Sequence, residues 1–165
     1  MLGAFLEFGA RLAGLKSLFF LVGILCMCQI LLIEDHPNQR LLYEQELADE
    51  GYREIVTASS GLEGLEFFKY YRPQLIILDI VLPEMNGIEV MKHMLTLDPQ
   101  ASIIVHSAYS SPCHDFITWF AKYYVVKSGD LDELKRKVRQ LLRAETARHN
   151  SAVAAPAGTE HMSRG

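Results

Sequence analysis

Four apolar runs in this chain each end on a group that can do chemistry. Ile30-Leu31-Leu32-Ile33 stops at Glu34-Asp35 and Leu75-Ile76-Ile77-Leu78 stops at Asp79. Ile103-Ile104-Val105 ends at His106-Ser107, and Tyr123-Tyr124-Val125-Val126 ends at Lys127. If the four ends meet, three carboxylates, a hydroxyl and an amine share one place. Two carboxylates about 4 Å apart repel by roughly 4 kcal/mol at an effective dielectric of about 20. Such a trio either keeps protons or binds a hard cation. Lys127 offsets part of that repulsion. An exposed, all-oxygen set suits Mg2+, which keeps several waters and shares its shell with phosphate oxygens. With charge neutralised, Asp79 can act as a nucleophile on phosphorus and form an acyl phosphate. The Ser107 hydroxyl can donate to a phosphoryl oxygen, and positioning with charge neutralisation is most of what phosphoryl transfer needs.

The elements that must position these groups alternate strand and helix five times between about Gln29 and Arg143. A first helix follows Pro37, with Leu41, Leu42, Leu47 and Ala48 expected on its inner face. A short strand, Glu54-Ile55-Val56-Thr57, comes next. Ser60 and Glu63 form a capping-box start for a second helix, with Leu62, Leu65 and Phe68 inward. A third carries Ile88, Val90, Met91, Met94 and Leu95. A fourth begins near Pro112 and carries Phe116, Ile117, Trp119 and Phe120. A fifth opens at Asp130 with Leu131, Leu134, Val138, Leu141 and Leu142 inward, and Lys135, Arg136, Lys137 and Arg139 mostly in water. Strands so uniformly apolar need cover on both faces, which indicates an α/β fold with a parallel sheet between helices. Right-handed crossovers then bring every strand's C-terminal end to one edge, where ligands of open α/β sheets bind.

At 165 residues, half of them apolar, the chain fits one domain with a normal core and appendages. A net charge of -4 gives no basic field for nucleic acid, and no recognition helix for DNA is apparent. Cys26, Cys28 and Cys113 show no zinc spacing, and reduced thiols in a cytoplasmic protein are expected. Residues 1–28 form an apolar N-terminal extension. Three readings stay open for it: an upstream start with Met27 as the true beginning, a membrane-surface helix that would give membrane contact, or a packing helix. Residues 144–165, rich in Ala, Ser, Gly and Pro, are expected to be a flexible tail. No effector domain is expected after the core at 29–143. His36, His93, His106 and His114 show no ligand spacing.

The stretches ILLIEDHPNQR, PQLIILDIVLPEMNG, IIVHSAYS and YYVVKSGDLDELK together resemble a bacterial response regulator receiver domain of the chemotaxis type. The resemblance spans the whole core. It implies a flavodoxin-like, doubly wound, five-stranded parallel sheet of order 2-1-3-4-5 with helices on both faces. It further implies Asp79 as phosphoacceptor, and Glu34, Asp35, Asp79 and the Val81 carbonyl as the Mg2+ site. Ser107 takes the family's hydroxyl position, and Tyr124 takes its aromatic switch position. The implied function is a stand-alone receiver in a two-component phosphorelay. It would take its phosphoryl group from a sensor histidine kinase or a histidine phosphotransfer protein. Output would be protein contact through the face of helix four, strand five and helix five. Such a switch is no enzyme beyond its own phosphoryl transfer.

The chain departs from the family pattern at three points. Ser128 replaces the usual proline after the lysine, and a cis bond before it would cost about 2 kcal/mol more than before proline. Val81 offers no polar side chain to orient water, so slow self-dephosphorylation is expected. Tyr109 could cover the site. Two other classes compete: an adaptor with the same fold that works without phosphorylation, and an Asp-nucleophile phosphohydrolase. Such hydrolases usually carry a second acid two residues after the nucleophile, where Val81 stands.

Overall fold

The computed structural model describes residues 29–109 and 120–153, with side chains described as far as Ala147. The elements are β1 (Ile30–Ile33), α1 (Pro37–Asp49), β2 (Ile55–Ala58), α2 (Gly61–Tyr71), β3 (Leu75–Leu78), α3 (Gly87–Leu97), β4 (Ile103–Ser107), β5 (Tyr123–Val126) and α4 (Asp132–Val153). All strand pairs are parallel, in the order β2-β1-β3-β4-β5. The expected order is therefore the observed one. The helix expected near Pro112, with Phe116, Ile117 and Trp119, lies outside the described residues, as do residues 1–28. Among the described residues, no helix is long and apolar enough to cross a membrane.

Every residue of β1, β3 and β4 is buried. Because successive side chains of a strand point to opposite faces, each strand feeds two cores. Leu31, Ile33, Ile76, Leu78, Ile103 and Val105 meet Leu65 and Phe68 of α2 and Val90, Met91 and Met94 of α3. Ile30, Leu32, Leu75, Ile77, Ile104 and Val125 meet Tyr43 and Leu47 of α1 and Leu134, Val138, Leu141 and Leu142 of α4.

Two expectations about helix faces need correction, and the last helix outruns the expected core. On α1 the inward pair is Tyr43 and Leu47, one turn apart, whereas Leu41 and Leu42 are exposed. The aromatic ring took the core position because its edge can reach Gln39 Oε1 (3.2 Å) while its face stays dry. On α2, Leu62 is also exposed; the buried face is Gly61, Gly64, Leu65 and Phe68. A Cβ at Gly64 would fall 2.5 Å from Ile33 Cδ1, so missing side chains let α2 lie close to β1. Ser60 caps the Glu63 N–H as expected, but the Glu63 carboxylate returns to the N–H and hydroxyl of Ser59 instead of Ser60. Finally, α4 does not end at Arg143. It runs on to Val153, and the Ser102 hydroxyl donates to Glu145 at 2.7 Å.

His106 titrates out of range for a free histidine. Its ring is buried on β4 with its centroid 4.9 Å from that of Tyr43, and Nδ1 has no partner among the described residues. Burial, then the Lys127 charge, pushes its pKa from 6.5 down to about 4. Above pH 6.5 the imidazole is neutral both folded and unfolded. Between 6.5 and 4 only the unfolded chain takes the proton, so stability falls as the pH drops. At pH 5 this loss is about 2 kcal/mol at 1.36 kcal/mol per pH unit. Urea unfolding at pH 7 and pH 5 checks it: His106→Leu should lose about 2 kcal/mol less than the parent over that interval. Equal losses would show that the ring is not held neutral.

Candidate functional site

The C-terminal ends of β1, β3, β4 and β5 lie side by side through the registers Ile33 to Leu78, Leu78 to Val105, and Ser107 to Val126. The residues just past those ends are Glu34, Asp79 and Lys127, with Ser107 closing β4. Lys127 joins them. Its Nζ donates to Asp79 Oδ2 at 2.6 Å, to Glu34 Oε2 at 2.7 Å and to Gln39 Oε1 at 3.1 Å. Three N–H donors thus meet three acceptors. Glu34 and Asp79 are both nearly inaccessible, at 1% and 5% exposure. Burial pushes the Glu34 carboxyl up, and the Lys127 contact only partly offsets this. Burial alone would lower Lys127, but hydrogen bonds and charges from Asp79 and Glu34 outweigh it and hold its pKa above the ordinary lysine value.

Asp79 Oδ1 accepts from the Val81 N–H at 3.1 Å, so the loop after β3 turns over the carboxylate. The Val81 side chain itself is exposed. That loop closes where the Gly87 N–H donates to the Ile80 carbonyl at 2.9 Å. Ser107 is fully buried, its carbonyl accepts from the Lys127 N–H at 2.7 Å, and its Oγ accepts from the Tyr109 N–H at 3.3 Å. Tyr124 is tied to the same loop, its hydroxyl donating to the Tyr109 carbonyl at 2.8 Å. Tyr109 is half exposed. No cis peptide bond occurs among the described residues, so the link from Lys127 to Ser128 is trans.

Asp35 stands apart from the Lys127 cluster, in a group with Glu34 and His36 whose ligating atoms lie within 4.8 Å of one another. The residues fit a divalent cation. Glu34 Oε1 is buried with no hydrogen-bond partner among the described residues, and a buried carboxylate oxygen left bare is costly. A cation beside Asp35 would satisfy it.

Four residues at the site escaped the sequence reading. Gln39 accepts from Lys127, and the Arg40 guanidinium donates to the carbonyls of Glu34 (2.6 Å) and Asp35 (3.2 Å). Pro37 at the helix start was the available signal, because it places both side chains one turn beyond the acid pair. Gly87, in the quoted stretch PEMNG, stands where a Cβ would fall 2.1 Å from the Asp79 carbonyl oxygen. His36 adjoins the acids in the same group of side chains, although no ligand spacing marks it in the sequence.

The response regulator receiver domain family model matches residues 30–139. The chemotaxis protein CheY of Bacillus subtilis (strain 168) is 31% identical over 116 residues, covering 69% of this chain and 97% of CheY. The response regulator TrrA of Thermotoga maritima, solved in complex with Mg2+ and BeF, superposes with a TM-score of 0.65 at 44% identity, over 70% of this chain and 99% of TrrA. A second TrrA structure, in complex with the histidine kinase ThkA, gives 0.65 at 45% identity, again over 70% and 99% of the two chains.

Proposed function

This chain belongs to the response regulator receiver domain family, from which we propose that it is a phosphorylation switch with Asp79 as the phosphoacceptor. The carrying observation is the Lys127 ammonium held between Asp79 and Glu34 at 2.6 and 2.7 Å. Asp79 attacks the phosphorus of a phosphohistidine; a P–O bond to its carboxylate forms as the P–N bond breaks, and the imidazole leaves. Mg2+, when bound, supplies charge neutralisation for the phosphoryl oxygens, and Glu34, Asp35, Asp79 and the Val81 carbonyl would hold it. Lys127 already touches the reacting carboxylate, so its charge needs no relocation to meet the new dianion.

The Ser107 hydroxyl turns toward the phosphoryl oxygens and draws Tyr109 with it through the Tyr109 N–H. Because Tyr124 is bonded to the carbonyl of that same residue, the shift reaches Tyr124 in one step. The phosphate therefore selects between two packings of the loop and β5, to the extent that it binds one better. Val81 presents no polar side chain for water, so the acyl phosphate is slow to hydrolyse and the protein is not an enzyme in the turnover sense.

The donor is a sensor histidine kinase, as the TrrA complex with ThkA supports, or a histidine phosphotransfer protein, and the transfer takes place in the cytoplasm. Output is protein contact through β5, α4 and the helix expected before β5. Incubation with acetyl phosphate and Mg2+, followed by intact-mass measurement, tests this. Wild type should gain one phosphoryl group and Asp79→Ala none. An unchanged wild-type mass, under conditions that preserve a labile adduct, would move the assignment to a phosphorylation-independent adaptor.

A further inference from the structure

One of the three Lys127 hydrogen bonds differs in kind from the other two. A lysine ammonium carries three N–H groups and no acceptor. Two of them meet carboxylates, Asp79 Oδ2 at 2.6 Å and Glu34 Oε2 at 2.7 Å. The third meets a neutral amide oxygen, Gln39 Oε1 on the first turn of α1, at 3.1 Å. A carboxylate adds the attraction of a full charge that an amide lacks, so Gln39 is the weakest of the three holds. Gln39 Oε1 also accepts from the Tyr43 hydroxyl at 3.2 Å, and so keeps a partner if Lys127 lets go. Tyr43 is buried, its ring centroid 4.9 Å from that of His106, and it fixes the amide in place. Glu34 has no such cover. Its Oε1 is already bare, and without Lys127 its Oε2 would be bare as well.

We infer that Gln39 is a positioning residue that holds the third Lys127 N–H in the resting protein and yields it to the incoming phosphoryl group, which makes it a brake on uptake. The inference rests on the reading of Asp79 as phosphoacceptor, and it adds which resting contact is exchanged. With acetyl phosphate as donor, a P–O bond to the Asp79 carboxylate forms as the P–O bond to acetate breaks, and acetate leaves. The phosphoryl dianion brings more negative charge to Nζ than the carboxylate it replaces, and its oxygens take a second N–H. Glu34 holds its share of the ammonium with a full charge, Gln39 only with a dipole, so Gln39 gives way. The Lys127 charge stays where it is and one donor changes partner. An interaction made in the ground state and lost in the transition state raises the barrier.

The test is the rate of uptake from acetyl phosphate at saturating Mg2+, read by intact mass over a range of donor concentrations. Gln39→Leu deletes the acceptor, and Gln39→Met nearly does so on an unbranched stem, so a packing fault in one is not shared by the other. Gln39→Glu keeps the reach and strengthens the acceptor. The apolar variants should reach a maximal rate roughly three- to tenfold above wild type, the rate equivalent of one hydrogen bond. Gln39→Glu should fall below wild type. The half-saturating donor concentration should move less than about twofold, because the exchange belongs to the transfer step and not to donor binding. Asn38→Asp, at an exposed position one residue away, adds the same charge as Gln39→Glu and should leave the maximal rate near wild type. A residue that only supports the fold would slow uptake whichever way it was changed. The inference falls if neither apolar variant exceeds wild type, or if Gln39→Glu is no slower than Asn38→Asp. Those results, with an active wild type, reject the role of Gln39 alone. A wild type that takes up no phosphate rejects the receiver reading and this inference with it.

Discussion

Lys127→Met is expected to cost about 3 kcal/mol of folding stability at pH 7, the scale for removing one partner of a buried ion pair. The substitution keeps the apolar stem and deletes the charge. Glu34 and Asp79 then face each other, almost fully buried, with no ammonium between them. Burial already raises the Glu34 carboxyl, and the two strongest opposing causes both come from Lys127. Without them Glu34 rises further. A raised folded pKa means the carboxyl costs stability above its ordinary value of 4.5 and costs none once both states are protonated. The variant should therefore recover, relative to wild type, as the pH falls toward 4.5. Added Mg2+ should restore part of the loss at pH 7, because the ion offers the same oxygens another positive charge. Urea unfolding at pH 7 and pH 5, with and without Mg2+, measures both effects. Stability equal to wild type at pH 7 would show that the ammonium is not what makes the buried carboxylates tolerable.

Gly87→Ala should be nearly as damaging for a different reason. The added Cβ would fall 2.1 Å from the Asp79 carbonyl oxygen and 2.8 Å from Ile80 Cα. Both obstacles are backbone, so no rotamer change relieves them. The expected cost is at least about 2 kcal/mol, typical of overpacking against atoms that cannot yield. The site should suffer too. Relief requires the loop after β3 to move away from α3, which breaks the Gly87 to Ile80 hydrogen bond and carries Asp79 with it. Acetyl phosphate uptake should thus be slowed even in protein that remains folded. Gly51→Ala is the control for introducing alanine: nothing lies within 4 Å of its Cβ position, although its φ of +98° adds local backbone strain. If Gly87→Ala matched wild type in both melting and uptake, the close approach of α3 to Asp79 would not be what seats the carboxylate.

The places of the strands, their parallel arrangement and the identity of the groups at their ends were legible in the sequence, although β2 lies one residue later than expected and β4 runs on through His106 and Ser107. Uniform apolar runs admit no exposed face, so helices must cover both sides and crossovers must gather the C-terminal ends. Glu34, Asp79, Ser107 and Lys127 followed from that constraint alone. Tyr124 and the strand order came through resemblance, since no local rule ranks strands within a sheet.

Only the folded chain decided which helix residues face inward and how the site's hydrogen bonds are shared. Leu41, Leu42 and Leu62 are apolar enough for the core, but α1 turns Tyr43 inward and α2 turns its glycines inward. Hydrophobicity does not distinguish a side chain that fits from one that is too wide for a close helix–strand contact. The Lys127 contacts bridge 93 positions to Glu34 and 48 to Asp79. Gln39 enters the site by the same long-range closeness, 88 positions from Lys127, and Gly87 by the tight closure of the loop after β3. Their side-chain chemistry is ordinary, and what gives them a role is a distance that arises only when separate strands and helices pack.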